Sequence, residues 1–386
     1  MLTIELRNKI INDLFFEQEH DELSIAYKHG ILRTVFIIFR SVLFSKLRGE
    51  PLSRSIKSGG SVAVVMSTNC LRAISSAPKE VGVQSIINLN LRSLSMIREQ
   101  LGLWQVISEI LYFIRTTIEI KGIKYIQRMS IPILGWLLFK TFISILESKS
   151  KVTITTTNMV HAVPVGIAWA VYCTGHRSQF FEHAVTPTII MANRGYDLVY
   201  VNFEHTRRQL IMKGFEDARI RVMHQIDNNI IRLKNVAISR VAICINEYDS
   251  LHTIKDITDV FRTHDVAITF RLHEADSRHK AIRQIATTLN IPLSFAKQSS
   301  IKDFLIPMDL VIAGNSNVIA DAMLARRLVI YYWAGQERLF DYFGFVQYYS
   351  ILHANSVQAL QKLAHQIMQS RDNGSDISPV VTPAYG

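Results

Sequence analysis

The segment RSQFFEHAVTPT sets Glu182 and His183 side by side at the end of a short apolar run. Histidine is the usual general base near neutral pH, and an adjacent carboxylate can share or orient that task. Farther on, VAITFRLHEADSR places Arg271, His273 and Arg278 directly after another apolar run. Arginine grips phosphate through paired N–H donors, and histidine donates to the same oxygens. A charged loop of this kind is more commonly just solvated. A third cluster, DLVIAGNSNVIADAMLARRLVIYY, carries Gly314, Asn315, Ser316 and Asn317 where a strand ends and a helix begins, with Asp321 one helical turn on. Free N–H groups and the positive end of a helix dipole favour an anion there. Ser316 or Asn315 is also an ordinary helix cap. Two loops with weaker signals, STNCLRAISSAP and TTTNMVHAVP, offer Asn69, Ser75, Asn158 and His161 as hydrogen-bonding groups. In NEYD, Glu247 and Asp249 have the spacing of a metal-binding pair, but adjacent acids in a loop are usually solvated, and no metal is expected.

Chemistry of this kind needs elements to position it. Short apolar runs at 61–68, 83–90, 152–158, 177–183 and 197–202 read as buried parallel strands, with helical patterns between most of them. After a polar stretch at 220–235 the alternation resumes at 241–246, 266–273, 292–296, 309–315 and 328–333, with an edge strand at 349–354. Strand–helix alternation throughout predicts an α/β fold of two Rossmann-like domains facing a central cleft. The expected division is 1–235, 236–370 and a flexible tail at 371–386. Ligands of open α/β sheets bind beyond the carboxyl ends of the strands, so the cleft is the expected site.

The chain has 386 residues, 48% hydrophobic and 19% charged, which suits one large or two medium domains and argues against disorder. Cys70, Cys173 and Cys244 are few, far apart and odd in number, so no disulfide framework or zinc spacing is built from them. A reducing compartment follows. The net charge of +11 implies an anionic partner. No secretory signal is evident at the start. Residues 31–48 and 123–149 mix Arg and Lys into apolar sequence without the ~20 uninterrupted apolar residues of a spanning helix. They read equally as interfacial helices or as core helices with outward-reaching cations. Residues 152–175 read as a strand and a buried helix. No GxGxxG follows a strand, and neither a P-loop nor a GxSxG elbow is present, which disfavours nicotinamide or flavin enzymes, ordinary ATPases and α/β-hydrolases.

The order of these motifs resembles the GT-B glycosyltransferases, above all the bacterial capsule and lipopolysaccharide transferases related to the CDP-glycerol glycerophosphotransferases. RSQFFEHAVTPT stands where those families carry a QHG or EHG motif, RLHEAD where they carry RxHP, and DLVIAGNSNVIADAMLARRLVIYY where they carry a strand, a small polar turn and an acidic helix. The similarity spans roughly residues 150 to 335. Ala184 replaces the family's glycine after the first histidine, and Glu274 its proline after the second. The resemblance implies that His183, with Glu182, deprotonates an acceptor hydroxyl. It implies that Arg271 and His273 contact donor phosphates, and that Gly314, Asn315, Ser316 and Asn317 stabilise the leaving nucleotide. Asp321 would tie the turn or meet a donor hydroxyl. Asn69 and Asn158 remain candidates for the acceptor side.

The expected function is therefore metal-independent transfer of a sugar from a nucleotide-sugar donor to a glycan or lipid-linked glycan acceptor. No cofactor is expected beyond the nucleotide-sugar substrate. The expected location is cytoplasmic, peripheral on the anionic face of the inner membrane. Two alternatives keep the fold, a polyol-phosphate transferase and a nucleotide-sugar 2-epimerase. A third is a non-catalytic basic protein that binds membrane or nucleic acid; no nucleic-acid-binding signature supports the latter, and nucleic acid is not expected as a partner.

Overall fold

The computed structural model describes residues 3–15, 52–89, 97, 99–122, 125, 129–159, 161–185, 195–224, 238–246, 249–273, 276, 278–295, 298–335, 340–349 and 351–373. The chain divides into two compact units, Met1–His224 and Gln225–Gly386. The sequence reading put the boundary at 235; residues 225–237 lie outside the described set.

The first unit is built on a six-stranded sheet, β1 (Ser61–Val65), β2 (Ser85–Asn88), β3 (Thr153–Thr156), β4 (Arg177–Phe181), β5 (Leu198–Val201) and β6 (Ile220–Val222). Its order is β2-β1-β3-β4-β5-β6, and every pairing is parallel. The strand β6 falls in the stretch read from sequence as a polar linker. Only Ile220 of its three residues is buried, so an edge strand this short leaves little apolar pattern to read. The helices are α1 (Ile4–Leu14), α2 (Leu52–Ser55), α3 (Thr68–Ser75), α4 (Leu103–Lys121), α5 (Ser130–Leu146), α6 (Ala162–Cys173) and α7 (Glu204–Met212).

Helices α5 and α6 meet at glycines. A Cβ on Gly135 would lie 2.5 Å from the Ala162 carbonyl oxygen, and one on Gly166 would collide with the Gly135 carbonyl. Two backbones can approach this closely only where neither residue carries a side chain. Most of α5 is buried, including Trp136, Leu137, Leu138, Phe139 and Phe142. Lys140 turns back to Glu109 on α4 at 3.1 Å, and the same carboxylate accepts from Trp136 Nε1 at 3.0 Å. The 130–146 part of the basic apolar stretch at 123–149 is thus a core helix whose cation is paired inside the unit. Residues 31–48 lie outside the described residues. Among the described residues, no helix is long and apolar enough to cross a membrane.

The second unit holds β7 (Arg240–Ile245), β8 (Ala267–Leu272), β9 (Leu293–Phe295), β10 (Leu310–Ala313), β11 (Leu328–Tyr332) and β12 (Leu352–Ala354), in the order β12-β11-β10-β7-β8-β9, again all parallel. Counted within the unit, this is the order 6-5-4-1-2-3 of a dinucleotide-binding sheet read from its other edge. Its helices are α8 (Leu251–Arg262), α9 (His279–Thr288), α10 (Ile301–Leu305), α11 (Val318–Leu324), α12 (Phe345–Tyr349) and α13 (Val357–Asn373). The strands β7, β10 and β11 are buried almost throughout, as strands covered on both faces must be. In α8, Ile254, Ile257, Thr258 and Phe261 share one buried face at helical spacing, and Ser250 caps its first turn by accepting from Thr253 N. The expected tail beyond Asn373 lies outside the described residues. The fold class is α/β, with two Rossmann-like domains in series.

Candidate active site

Each sheet has one place where the strand order reverses and the following connections leave in opposite directions, so the carboxyl ends diverge. In the first unit that place lies between β1 and β3, with β4 alongside. Val64 pairs with Thr156, and Thr156 with Phe180, so Ser67, Thr157 and His183 issue from one end of the sheet. In the second unit it lies between β7 and β10, where Cys244 pairs with Ala313.

At the first crossover Ser67 caps α3 by accepting the Cys70 N–H at 3.1 Å. His183 follows β4 and is half-buried, with Nδ1 2.5 Å from the Thr157 carbonyl oxygen. A carbonyl only accepts, so Nδ1 carries the proton. The Cys70 thiol and the His183 imidazole influence each other's protonation. Burial pushes the Cys70 thiol up, but the hydrogen bond and charge of His183, with help from Ser67 and Thr157, outweigh it and hold the thiol down at about 6. Burial lowers His183, and Cys70, Thr157 and Glu182 together raise it above the ordinary histidine value. The two shifts agree: thiolate and imidazolium stabilise each other.

The neighbour Glu182 behaves differently from the sequence expectation. It is 1% exposed and its carboxylate accepts from the backbone N–H of Asn202 and from Thr206 Oγ1, at the N-terminus of α7. Alternation along β4 turns it to the N-terminus of α7, where a carboxylate is favoured, and its charge raises His183. Asn158 Oδ1 accepts from His161 N at 2.8 Å, closing a turn ahead of α6, and His161 Nδ1 accepts from Val163 N. Burial pushes His161 down to about 4, so it is neutral. Ser75 ends α3 on an exposed turn, away from the strand ends. The side chain of Asn69 lies outside the described residues.

At the second crossover Asn246 Nδ2 donates to the Asn315 carbonyl at 3.0 Å, tying β7 to β10 just beyond their ends. Asn315 is buried. Its Oδ1 accepts from Tyr331 Oη at 2.9 Å and from Tyr342 N at 3.1 Å, and Tyr331 Oη accepts in turn from Asp341 N. Gly314 makes room for this: a Cβ there would lie 2.9 Å from Asp249 Oδ1 and 3.2 Å from the Tyr332 carbonyl. Asp249 Oδ2 accepts from Asn246 N. Arg278 spans the adjacent turns, pairing with Asp276 at 2.6 Å and donating to the carbonyls of Asn246 and Asp249. Arg271 is 6% exposed, stacks over Phe304, and donates to Ser294 Oγ, Ser299 Oγ and the Ser299 carbonyl.

Of the donor-side residues expected from sequence, the structure thus uses two side chains internally. Arg271 ties β8 to the β9–α10 segment, and Asn315 holds β10 to β11 and the turn before α12; each is buried and bonded within the unit, unlike a side chain offered to phosphate. His273, exposed after β8, and Ser316, Asn317 and Asp321, partly exposed after β10, are presented at the strand ends. Ser316 Oγ accepts from Val318 N at the start of α11. Burial pushes Asp249, Asp321 and Asp341 up to about 6 each. Sequence reasoning missed Cys70, Asn246 and Tyr331. For Cys70 the signal was present: a cysteine three residues after a capping serine sits in the first turn of a helix that starts at a strand end.

No protein-family model matches the chain, and no curated protein matches it in sequence. Among solved structures it is similar to UDP-GlcNAc 2-epimerase from Neisseria meningitidis bound to UDP-GlcNAc, at 13% identity over 81% of this chain and 93% of that one, with a TM-score of 0.47. It is also similar to a glycosyltransferase from Rickettsia africae, at 12% identity over 82% and 93% with a TM-score of 0.43. A third is MurG from Acinetobacter baumannii, at 10% identity over 84% and 97% with a TM-score of 0.44. Likeness at this level does not carry activity from one chain to another.

Proposed function

We propose that the protein is an enzyme of nucleotide-activated sugars, and specifically a glycosyltransferase that extends a bacterial surface glycan, capsule or lipopolysaccharide, at the cytoplasmic membrane face. The observation that carries this reading is the polar turn 314–317 at the crossover of the second sheet, where Gly314 leaves room for the packing around it, with His273 exposed at the end of β8 in the same sheet. His273, Ser316 and Asn317 would take the donor phosphates and Asp321 a donor hydroxyl. His183, in its neutral form, would be the base for the acceptor hydroxyl. Its pKa is raised, so the neutral form is populated at higher pH than in an ordinary histidine and is then the stronger base. Catalysis would rest on positioning and electrostatic stabilisation. The net charge of +11 and the exposed Trp104, Leu111 and Ile118, seven residues apart on α4, support docking on an anionic lipid surface.

A thermal-shift panel of CMP, CDP, UDP and GDP tests the donor site. A nucleotide at 100 times its Kd adds about 2.7 kcal/mol of stability. One nucleotide should stabilise wild type and fail with His273→Ala and Ser316→Ala; no response to any of them would sink the donor-site assignment. The second reading, a 2-epimerase, is favoured by the same fold. NMR of the donor alone separates the two, because an epimerase inverts a sugar carbon without acceptor and a transferase does not.

A further inference from the structure

The second sheet ends at β9, and among the described residues no further strand lies beyond it. The chain passes from α9 into β9 through one tight turn. Asn290 takes φ 53°, and Ile291 N donates back to the Ala286 carbonyl at 2.8 Å. This left-handed helix end fixes α9 against the start of β9. Between the two elements runs an open groove of about 580 Å³, lined by Arg283, Ala286, Thr287, Ile291 and Leu293 among others. The pairing with β8 decides which backbone groups face outwards. Phe270 stands opposite Leu293, and Phe270 N donates to the Pro292 carbonyl at 2.9 Å. In a parallel ladder that pattern turns the N–H and C=O of Leu293, and the N–H of Phe295, away from β8 to the free edge. The side chains of Leu293 and Phe295 pack against the core of the unit, and Ser294 points to the other face, where it meets Arg271. The Arg283 guanidinium lies 4.3 Å from the centre of the Phe295 ring. It is exposed and makes no ion pair among the described residues, and Lys280, one turn earlier on α9, is exposed as well.

We propose that this edge takes up an extended peptide segment of a partner protein, one with an apolar and an acidic residue two positions apart. An added strand would pair with the outward groups of Leu293 and Phe295, and main-chain hydrogen bonds of this kind supply affinity while alternate side chains supply specificity. Residues i and i+2 of a strand share a face and stand about 6.6 Å apart. The one beside Leu293 would rest on Ala286 and Ile291, and the one beside Phe295 would reach Arg283. Charge decides against a second copy of this chain as the occupant. Two β9 edges paired about a twofold axis would bring the arginine and lysine of both α9 helices into one seam, like charges together. The groove stands three strands away from β10 and its polar turn, so it does not depend on the sugar-transfer reading.

The experiment measures fluorescence anisotropy of a labelled peptide, Thr-Val-Thr-Glu-Thr-Val-Thr, against the full-length protein. The peptide has the same residue order in both chain directions, so either strand orientation is sampled. It is compared with the same peptide carrying Lys in place of Glu, and with a form N-methylated at alternate residues on the edge that would pair. The acidic peptide should bind with a Kd below about 1 mM, and the other two about tenfold more weakly. Arg283→Glu should weaken the acidic peptide about tenfold and favour the lysine one. Should that variant fail to fold, Thr287→Trp fills the groove from an exposed position and should likewise abolish binding. Saturating peptide should slow hydrogen exchange across 291–295. No binding up to about 1 mM, equal binding of the lysine or methylated peptide, or unchanged exchange at 291–295 overturns the proposal. A dimer of the protein that the peptide does not dissociate, and that Thr287→Trp breaks, overturns it in favour of a second copy.

Discussion

The first crossover sets Cys70 against His183, and the second sets Asn246 against Asn315. Both occupy the same place in a parallel sheet, yet their electrostatics are opposite. In the first unit, burial is outweighed by a partner of opposite charge, so both groups move toward their charged forms. In the second, burial wins over the nearby hydrogen bonds, so Asp249, Asp321 and Asp341 move toward their neutral forms. The backbone order alone does not decide the charge state of a strand-end site; what decides it is whether each buried group finds an opposite charge within reach.

The largest test of this contrast is Arg278→Ala. It leaves the buried Asp276 carboxylate unpaired and frees two carbonyls, and should cost about 3–5 kcal/mol, read by urea denaturation and by hydrogen exchange in β7 and β8 peptides. A loss below about 1 kcal/mol would mean the second crossover does not rest on that ion pair. Glu182→Ala, in the first unit, removes the acceptor of the Asn202 N–H and should cost about 1–3 kcal/mol, with exchange rising in α7. If Glu182 instead served as a catalytic base, activity would collapse while stability held.

A smaller effect is expected from pH, and it should have opposite signs in the two units. Cys70 lies below its ordinary value, so its contribution is present at high pH and is lost as pH falls through about 6. His183 lies above its ordinary value, so its contribution is lost as pH rises through its raised value; the pair is strongest between the two. The three aspartates lie above theirs, so their contribution is fully present below about 3.8 and is lost as pH rises through about 6. Going from pH 7 to pH 5 should therefore raise hydrogen exchange around α3 and lower it around α11, after correction for intrinsic rates. Parallel changes in both would refute the contrast. Smallest of all, His273→Ala should change stability by less than about 0.5 kcal/mol, because the side chain is exposed, while abolishing nucleotide stabilisation.

Eleven of the twelve strands among the described residues were legible because they carry apolar runs between helical patterns; β6 escaped because its three residues open a polar stretch. The polar turn at 314–317 was legible as a turn, and His183 and His273 as strand-end histidines. Their fates were not. Sequence places Glu182 and His183 as neighbours, but the twofold alternation of a strand sends one to α7 and the other to Thr157. Arg271 reads as a free phosphate ligand until β9 and α10 are seen to close over it. Cys70 and His183 are 113 positions apart in sequence. Apolar periodicity is a local property, so the chain alone determined its strands, its helices and the polar turns between them. Charge state, partner and burial depend on residues brought together from distant segments, and only the tertiary structure decided those.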